Sequence, residues 1–105
     1  MANLVPVSML SSVAVLDHTL EGWTLLDVPD SRPRTCRTKV QFDQPFSTPP
    51  LVHLGIVGLD VSNRDNLRVR VRAVEVTNTE FCIEAETWFN TEIWMVSVSW
   101  LAIGN

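Results

Sequence analysis

Two neighbouring stretches, LRVRVRAVEV (67–76) and EFCIEAETW (80–88), constrain this chain more than any other feature. In both, apolar and charged side chains alternate nearly one for one. A helix gathers its apolar residues at intervals of three and four, whereas a strand sends successive side chains to opposite faces. Period two over such lengths therefore predicts half-buried antiparallel strands, one face on a core and the other in water. Leu67, Val69 and Val71 form one row of the first strand, and Arg68, Arg70 and Arg72 form the other. Beyond Ala73 the parity flips, because Val74 and Val76 make the next inward pair. An extra residue at Ala73-Val74, a β-bulge, accounts for that flip.

Folding the two strands back across the intervening TNT fixes an expected register. Val76 meets Phe81 and Val74 meets Ile83; past the bulge, Arg72 meets Glu84, Arg70 meets Glu86 and Arg68 meets Trp88. Directly opposed residues have Cβ atoms ~4.5–5.5 Å apart, so these pairs would touch. A second turn at Asn90-Thr91 sets Thr87 beside Trp94, Ala85 beside Val96, Ile83 beside Val98 and Phe81 beside Trp100. That hairpin assigns Trp94 and Trp100 to the core and turns Ile93 and Met95 outward. One large residue is then out of place: Trp88 continues the row of Glu84 and Glu86, opposite an arginine that has no acid across from it.

Further upstream the chain reads the same way. GWTLLDV (22–28), CRTKVQFD (36–43) and LVHLGIV (51–57) are expected strands, separated by PDSRPR (29–34) and the proline-stiffened PFSTPP (45–50). With the final segment EIWMVSVSWLAI (92–103), short strands punctuated by Gly, Pro, Asn and Asp describe an all-β domain. At 105 residues, residues 1–105 form a single domain with a core large enough to need no staples. The first residues, MANLVPVSMLSSVAVL, are mildly apolar. They lack a basic leader and fall short of ~20 apolar residues, so neither a signal peptide nor membrane insertion is expected. The compartment stays open: cytosol, unconventional export, or maturation from a longer precursor.

Several function classes are disfavoured. A net charge of −4 argues against a nucleic-acid partner. Cys36 and Cys82 stand alone, His18 and His53 are isolated, and no metal-ligand spacing or cofactor motif occurs. The two cysteines are read as half-buried thiols. DVSNRDN (60–66) lacks the glycine and distal glutamate of an EF-hand and is read as a solvated turn. Glu84 and Glu86 would lie ~6.5–7 Å apart on one strand face, touching the spacing of an inverting glycosidase. A general acid needs a raised pKa, however, and facing arginines work against that. No catalytic residue is assigned. The remaining candidate is Arg68 with Trp88: a guanidinium fork suited to hydroxyl or carboxylate oxygens, beside a flat apolar ring. A cation–π stack, or Trp88 packed against another subunit, is the structural alternative.

The residues PFSTPPLVHLGIVGLDVSNRDNLRVRV and ETWFNTEIWMVSVSWLAI carry a resemblance. From about Gly22 to Ile103 the chain resembles the H-type lectin domain, the family of the snail agglutinins and the discoidin C-terminal domain. The resemblance implies a six-stranded antiparallel β-sandwich that assembles as a homotrimer or homohexamer. It also implies calcium-independent binding of N-acetylgalactosamine or galactose, with no cofactor and no enzymatic activity. By position, the arginine of NLR and the tryptophan of TW imply Arg68 and Trp88 at the sugar site. An acidic residue after the GW strand implies Asp30, with Ser31 competing in this shorter loop. Phe89 stands where the snail protein has histidine, so a polar donor gives way to an apolar ring. The snail protein's cysteines have no counterpart, and no disulfide is carried over. Arg–Glu rows lining a threefold contact are a further expectation. The rival reading is a structural assembly module that keeps the fold without the sugar site.

Overall fold

The computed structural model describes residues 7–28 and 32–105, and none of these is helical. Six strands follow in order: β1 (Ser8–Asp17), β2 (Arg34–Gln41), β3 (Leu51–Val61), β4 (Arg70–Val74), β5 (Glu80–Thr87) and β6 (Ile93–Gly104). They form two three-stranded antiparallel sheets, ordered β1-β6-β3 and β2-β5-β4. The expected all-β sandwich is therefore the observed architecture. Membership of the six differs in one strand. GWTLLDV is a run of turns, closed by bonds such as Trp23 N to Leu20 O and Asp27 N to Thr24 O. The missing strand is β1, whose serines mask its alternation of inward Leu10, Ala14 and Leu16 with outward Met9, Val13 and Val15.

The two sheets meet through the inward rows of their central strands. Phe81, Ile83 and Ala85 of β5 face Val96, Val98, Trp100 and Ala102 of β6, and all are buried. Phe42, Phe46, Phe81 and Trp100 close one end as a ring cluster, with Phe81 and Trp100 centroids 5.4 Å apart. The expected β5–β6 hairpin is corrected here. Those strands lie in different sheets, so Phe81 and Trp100 touch across the core and not along a ladder. Alternation identifies the inward rows but cannot tell a cross-strand neighbour from one facing it across the sandwich.

Two local expectations also change. The register Arg70 to Glu86, Arg72 to Glu84 holds as anticipated, but it continues unbroken through Ala73 to Ile83 and Val74 to Cys82. No bulge sits at Ala73-Val74. The parity flips one residue later, at Glu75, whose φ of 54° is left-handed. In β6 the ladder skips Trp94: Asp60 pairs with Met95 and Val61 with Ile93. That irregularity turns Trp94 outward, 43% exposed, and buries Ile93, the reverse of the expected assignment. A second irregularity in β3 lies at Val57, followed by Gly58, where a Cβ would stand 3.2 Å from the Ser97 Cβ.

Candidate functional site

The turn 88–92 leaves β5 in one sheet and enters β6 in the other, and the loop 62–69 reaches it from β3. Thr87 Oγ1 donates to Arg68 O at 2.5 Å, and the buried Thr91 hydroxyl donates to Asn66 O at 2.6 Å. The Asn90 amide donates to Asp65 at 2.8 Å. Polar side chains with short local reach thus sew the loop to the turn.

Arg68 occupies the seam. Its Nη1 donates to Asn90 Oδ1 at 3.0 Å, Thr91 Oγ1 at 3.1 Å and Asn66 O at 3.3 Å. Nε and Nη2 have no hydrogen-bond partner among the described residues. One edge of the fork is therefore anchored, leaving donors on the other. The guanidinium carbon lies 5.0 Å from the centre of the Phe89 ring, within cation–π range. Phe89 itself has φ 59°, an uncommon conformation for a bulky residue, and the residue is 49% exposed. Non-glycine residues held in this region concentrate where surrounding contacts over-determine them, as at ligand sites.

Arg34 supplies that constraint. This side chain is buried, and its Nη2 donates at 2.9 Å to the carbonyls of both Phe89 and Thr91. Its Nη1 donates to Asp27 O and, at 3.3 Å, to Leu25 O. One guanidinium thereby ties the Leu25–Asp27 segment to the turn that presents Phe89. The sequence held a usable signal: Arg34 shares the inward parity of Cys36 and Val40 in β2, where an arginine must find buried acceptors.

The predicted residues distribute as follows. Arg68 and Phe89 come together. Trp88, half-buried at the end of β5, pairs instead with Arg70, 5.5 Å from ring centre to guanidinium carbon. The expected Arg68–Trp88 opposition is replaced because β4 starts only at Arg70 and the chain at Phe89 turns left-handed. Asp30, like Ser31, lies outside the described residues. Along the outer face, Glu86 accepts from Arg70, and Glu84 accepts from Arg37 Nε at 2.7 Å and Arg72 Nε at 2.9 Å. The Arg37 hydrogen bond, with the charges of Arg37 and Arg72, holds the Glu84 carboxyl below its ordinary range against the opposing effect of burial. Cys36 is buried, which raises its thiol pKa, and both cysteines are free. Among the described residues no cluster of His, Cys, Asp or Glu is suited to a metal ion.

Comparison with known proteins places this chain in a family. The chain is 37% identical over 73 residues to a Fuscovulum blasticum protein described as "ATP synthase subunits region ORF 7", covering 70% of this chain and 64% of that one. Two structures of discoidin II from Dictyostelium discoideum superpose with a TM-score of 0.78 each, at 19% identity, over 93% of this chain. The chain spans 37% and 36% of those discoidin chains and so matches only a part of their length. At that identity the superposition speaks for the fold. The family model of the H-type lectin domain matches residues 37–103, which run from β2 through β6 and include Arg68, Trp88 and Phe89, and the chain belongs to that family.

Proposed function

We propose that this protein is a non-enzymatic, calcium-independent lectin for galacto-configured sugars, N-acetylgalactosamine or galactose, made multivalent by self-association. The observation that carries the reading is the half-anchored Arg68 guanidinium beside the exposed Phe89 ring. A sugar ring has an apolar C–H face and a rim of hydroxyls. Phe89, flanked by Trp88, covers the face, while Arg68 Nε and Nη2 donate to hydroxyls or an acetamide carbonyl. Asp30 accepts from hydroxyls.

Such a site is weak alone. About 12 non-hydrogen atoms at roughly −0.3 kcal/mol each give about −4 kcal/mol, near millimolar affinity. Several sites on one rigid assembly raise avidity by ~10²–10⁴, which gives self-association its functional purpose. A homotrimer or homohexamer fits this requirement. The Arg–Glu face is poorly suited to the contact, since Glu84 and Glu86 are buried under arginines of their own chain. The outer face of the β1-β6-β3 sheet is better suited, with Met9, Val13, Val15 and Leu51 exposed. Tryptophan fluorescence during titration with N-acetylgalactosamine, galactose and glucose tests the reading. Saturable change with the first two sugars, unaffected by EDTA, is expected; no response to either, or an equal response to glucose, would sink it.

A further inference from the structure

The arginines on the outer face of the β2-β5-β4 sheet meet their acids edge-on. Arg70 donates from both Nε and Nη2 to Glu86 Oε1. Arg72 sets Nε 2.9 Å from Glu84 and Nη2 3.5 Å from Glu86. That edge of a guanidinium carries two parallel N–H groups spaced for the oxygens of a carboxylate. Arg68 presents the same edge with no acid on it. Its bonds to Asn66, Asn90 and Thr91 all run through Nη1, which fixes the fork from behind. Among the described residues Arg34 Nε is the only side-chain polar atom buried without a partner, so Arg68 Nε and Nη2 lie open. The acids close by are engaged elsewhere. Asp65 accepts from the Asn90 amide at 2.8 Å, which leaves a neutral group between that carboxylate and Arg68. Glu92 accepts from Arg64, and Glu86 carries Arg70. Phe89, 5.0 Å from the guanidinium carbon, brings neither a charge nor a side-chain acceptor.

We propose that the free edge of Arg68 takes a carboxylate, so that the preferred ligand is an acidic galacto-configured sugar, a galacturonate residue. The inference rests on the lectin reading and sharpens it. Galacturonate has a carboxylate where galactose has its hydroxymethyl group, and the two rings are otherwise alike. Phe89 therefore covers the same C–H face, while Nε and Nη2 close a bidentate pair on the carboxylate instead of two neutral bonds to hydroxyls. Hydrogen bonds between ionised partners are about twice as strong as neutral ones, and the fork matches the carboxylate in shape as well as charge. A gain of about tenfold in affinity over galactose is expected at low salt, shrinking as salt rises. The interposed Asn90 is what keeps this edge available, because a carboxylate at that position would occupy the fork itself.

Titration calorimetry of the whole protein at neutral pH and low salt tests it, with galactose, galacturonate, galacturonate methyl ester and glucuronate as ligands. The ester keeps the shape and removes the charge; glucuronate keeps the charge and inverts the 4-hydroxyl. Arg68→Lys keeps the cation and removes the fork. The expected result is galacturonate about tenfold tighter than galactose, the ester close to galactose, and the preference lost in Arg68→Lys. Galacturonate no tighter than galactose, an ester that matches the acid, or a folded Arg68→Lys that keeps the full preference overturns the proposal. The ligand series on the native protein decides even where the lysine variant fails to fold. The two readings fail differently. Galactose binding without an acid preference overturns the carboxylate proposal and leaves the lectin standing. Glucuronate equal to galacturonate, with the ester silent, supports the carboxylate edge and removes the galacto specificity. No heat from any of the four overturns both.

Discussion

Replacing Arg34 with methionine removes the one side chain that binds both segments behind Phe89 while keeping most of its aliphatic volume. Among the described acceptors the cost can be assigned one by one. Leu25 O keeps a second donor, the Ile93 amide at 2.9 Å, and loses little. Asp27 and Phe89 are exposed residues, so water can reach their carbonyls and only the net worth of each bond is lost, about 0.5–1.5 kcal/mol. Thr91 is 2% exposed, and its carbonyl is left buried without Arg34, at about 1–3 kcal/mol. These contributions sum to about 2–6 kcal/mol. Relief from desolvating a guanidinium offsets about 1 kcal/mol of that, leaving roughly 1–5 kcal/mol. With an m-value near 2 kcal/mol/M, the urea midpoint should fall by about 0.5–2.5 M at fixed protein concentration. Sugar affinity of the folded fraction should fall too, because the left-handed Phe89 loses its constraint. A midpoint shift below about 0.5 M would refute this assignment of Arg34.

Two other perturbations have clear signs. Phe89→His keeps a ring, suits a left-handed φ better and adds a donor; titration calorimetry should show N-acetylgalactosamine gaining several-fold over galactose. Glu84 has a depressed folded pKa, so its contribution to stability is complete above the unfolded value, ~4.3, and is lost as pH falls through the folded one. Urea midpoints between pH 6 and pH 2 should therefore drop less steeply for Glu84→Gln than for the native protein. Equal slopes would show that the Arg37–Glu84–Arg72 cluster does not set the acid response.

Much of this architecture is legible in the sequence because period-two alternation is a local signal. It identifies the inward rows of β5 and β6 and the pairing of Arg70 and Arg72 with Glu86 and Glu84. What it misses is non-local. Nothing in EFCIEAETW or EIWMVSVSWLAI says that the turn between them changes sheets, so facing residues are read as ladder partners. Ladder irregularities are invisible for the same reason: Trp94 is outward because β3 skips it, a property of the pair and not of either strand. β1 escapes notice because serines interrupt its apolar row. In the site, the motif-like arginine and aromatics are readable. For Arg34 the sequence offers only an inward parity in β2; its role is not readable, because it rests on carbonyls 7, 9, 55 and 57 residues away.

The central claim, a sugar site built on Arg68, is tested most directly by titration calorimetry of the native protein and Arg68→Ala with N-acetylgalactosamine and galactose at tens of millimolar. Arg68 holds Asn66, Asn90 and Thr91 through a single nitrogen, so native mass and far-ultraviolet spectrum serve as controls for the fold. The account predicts saturable heat for at least one sugar with the native protein, and loss of that heat in a variant whose fold and mass are unchanged. Binding of equal affinity by folded Arg68→Ala, or no heat from the native protein with either sugar, would contradict it.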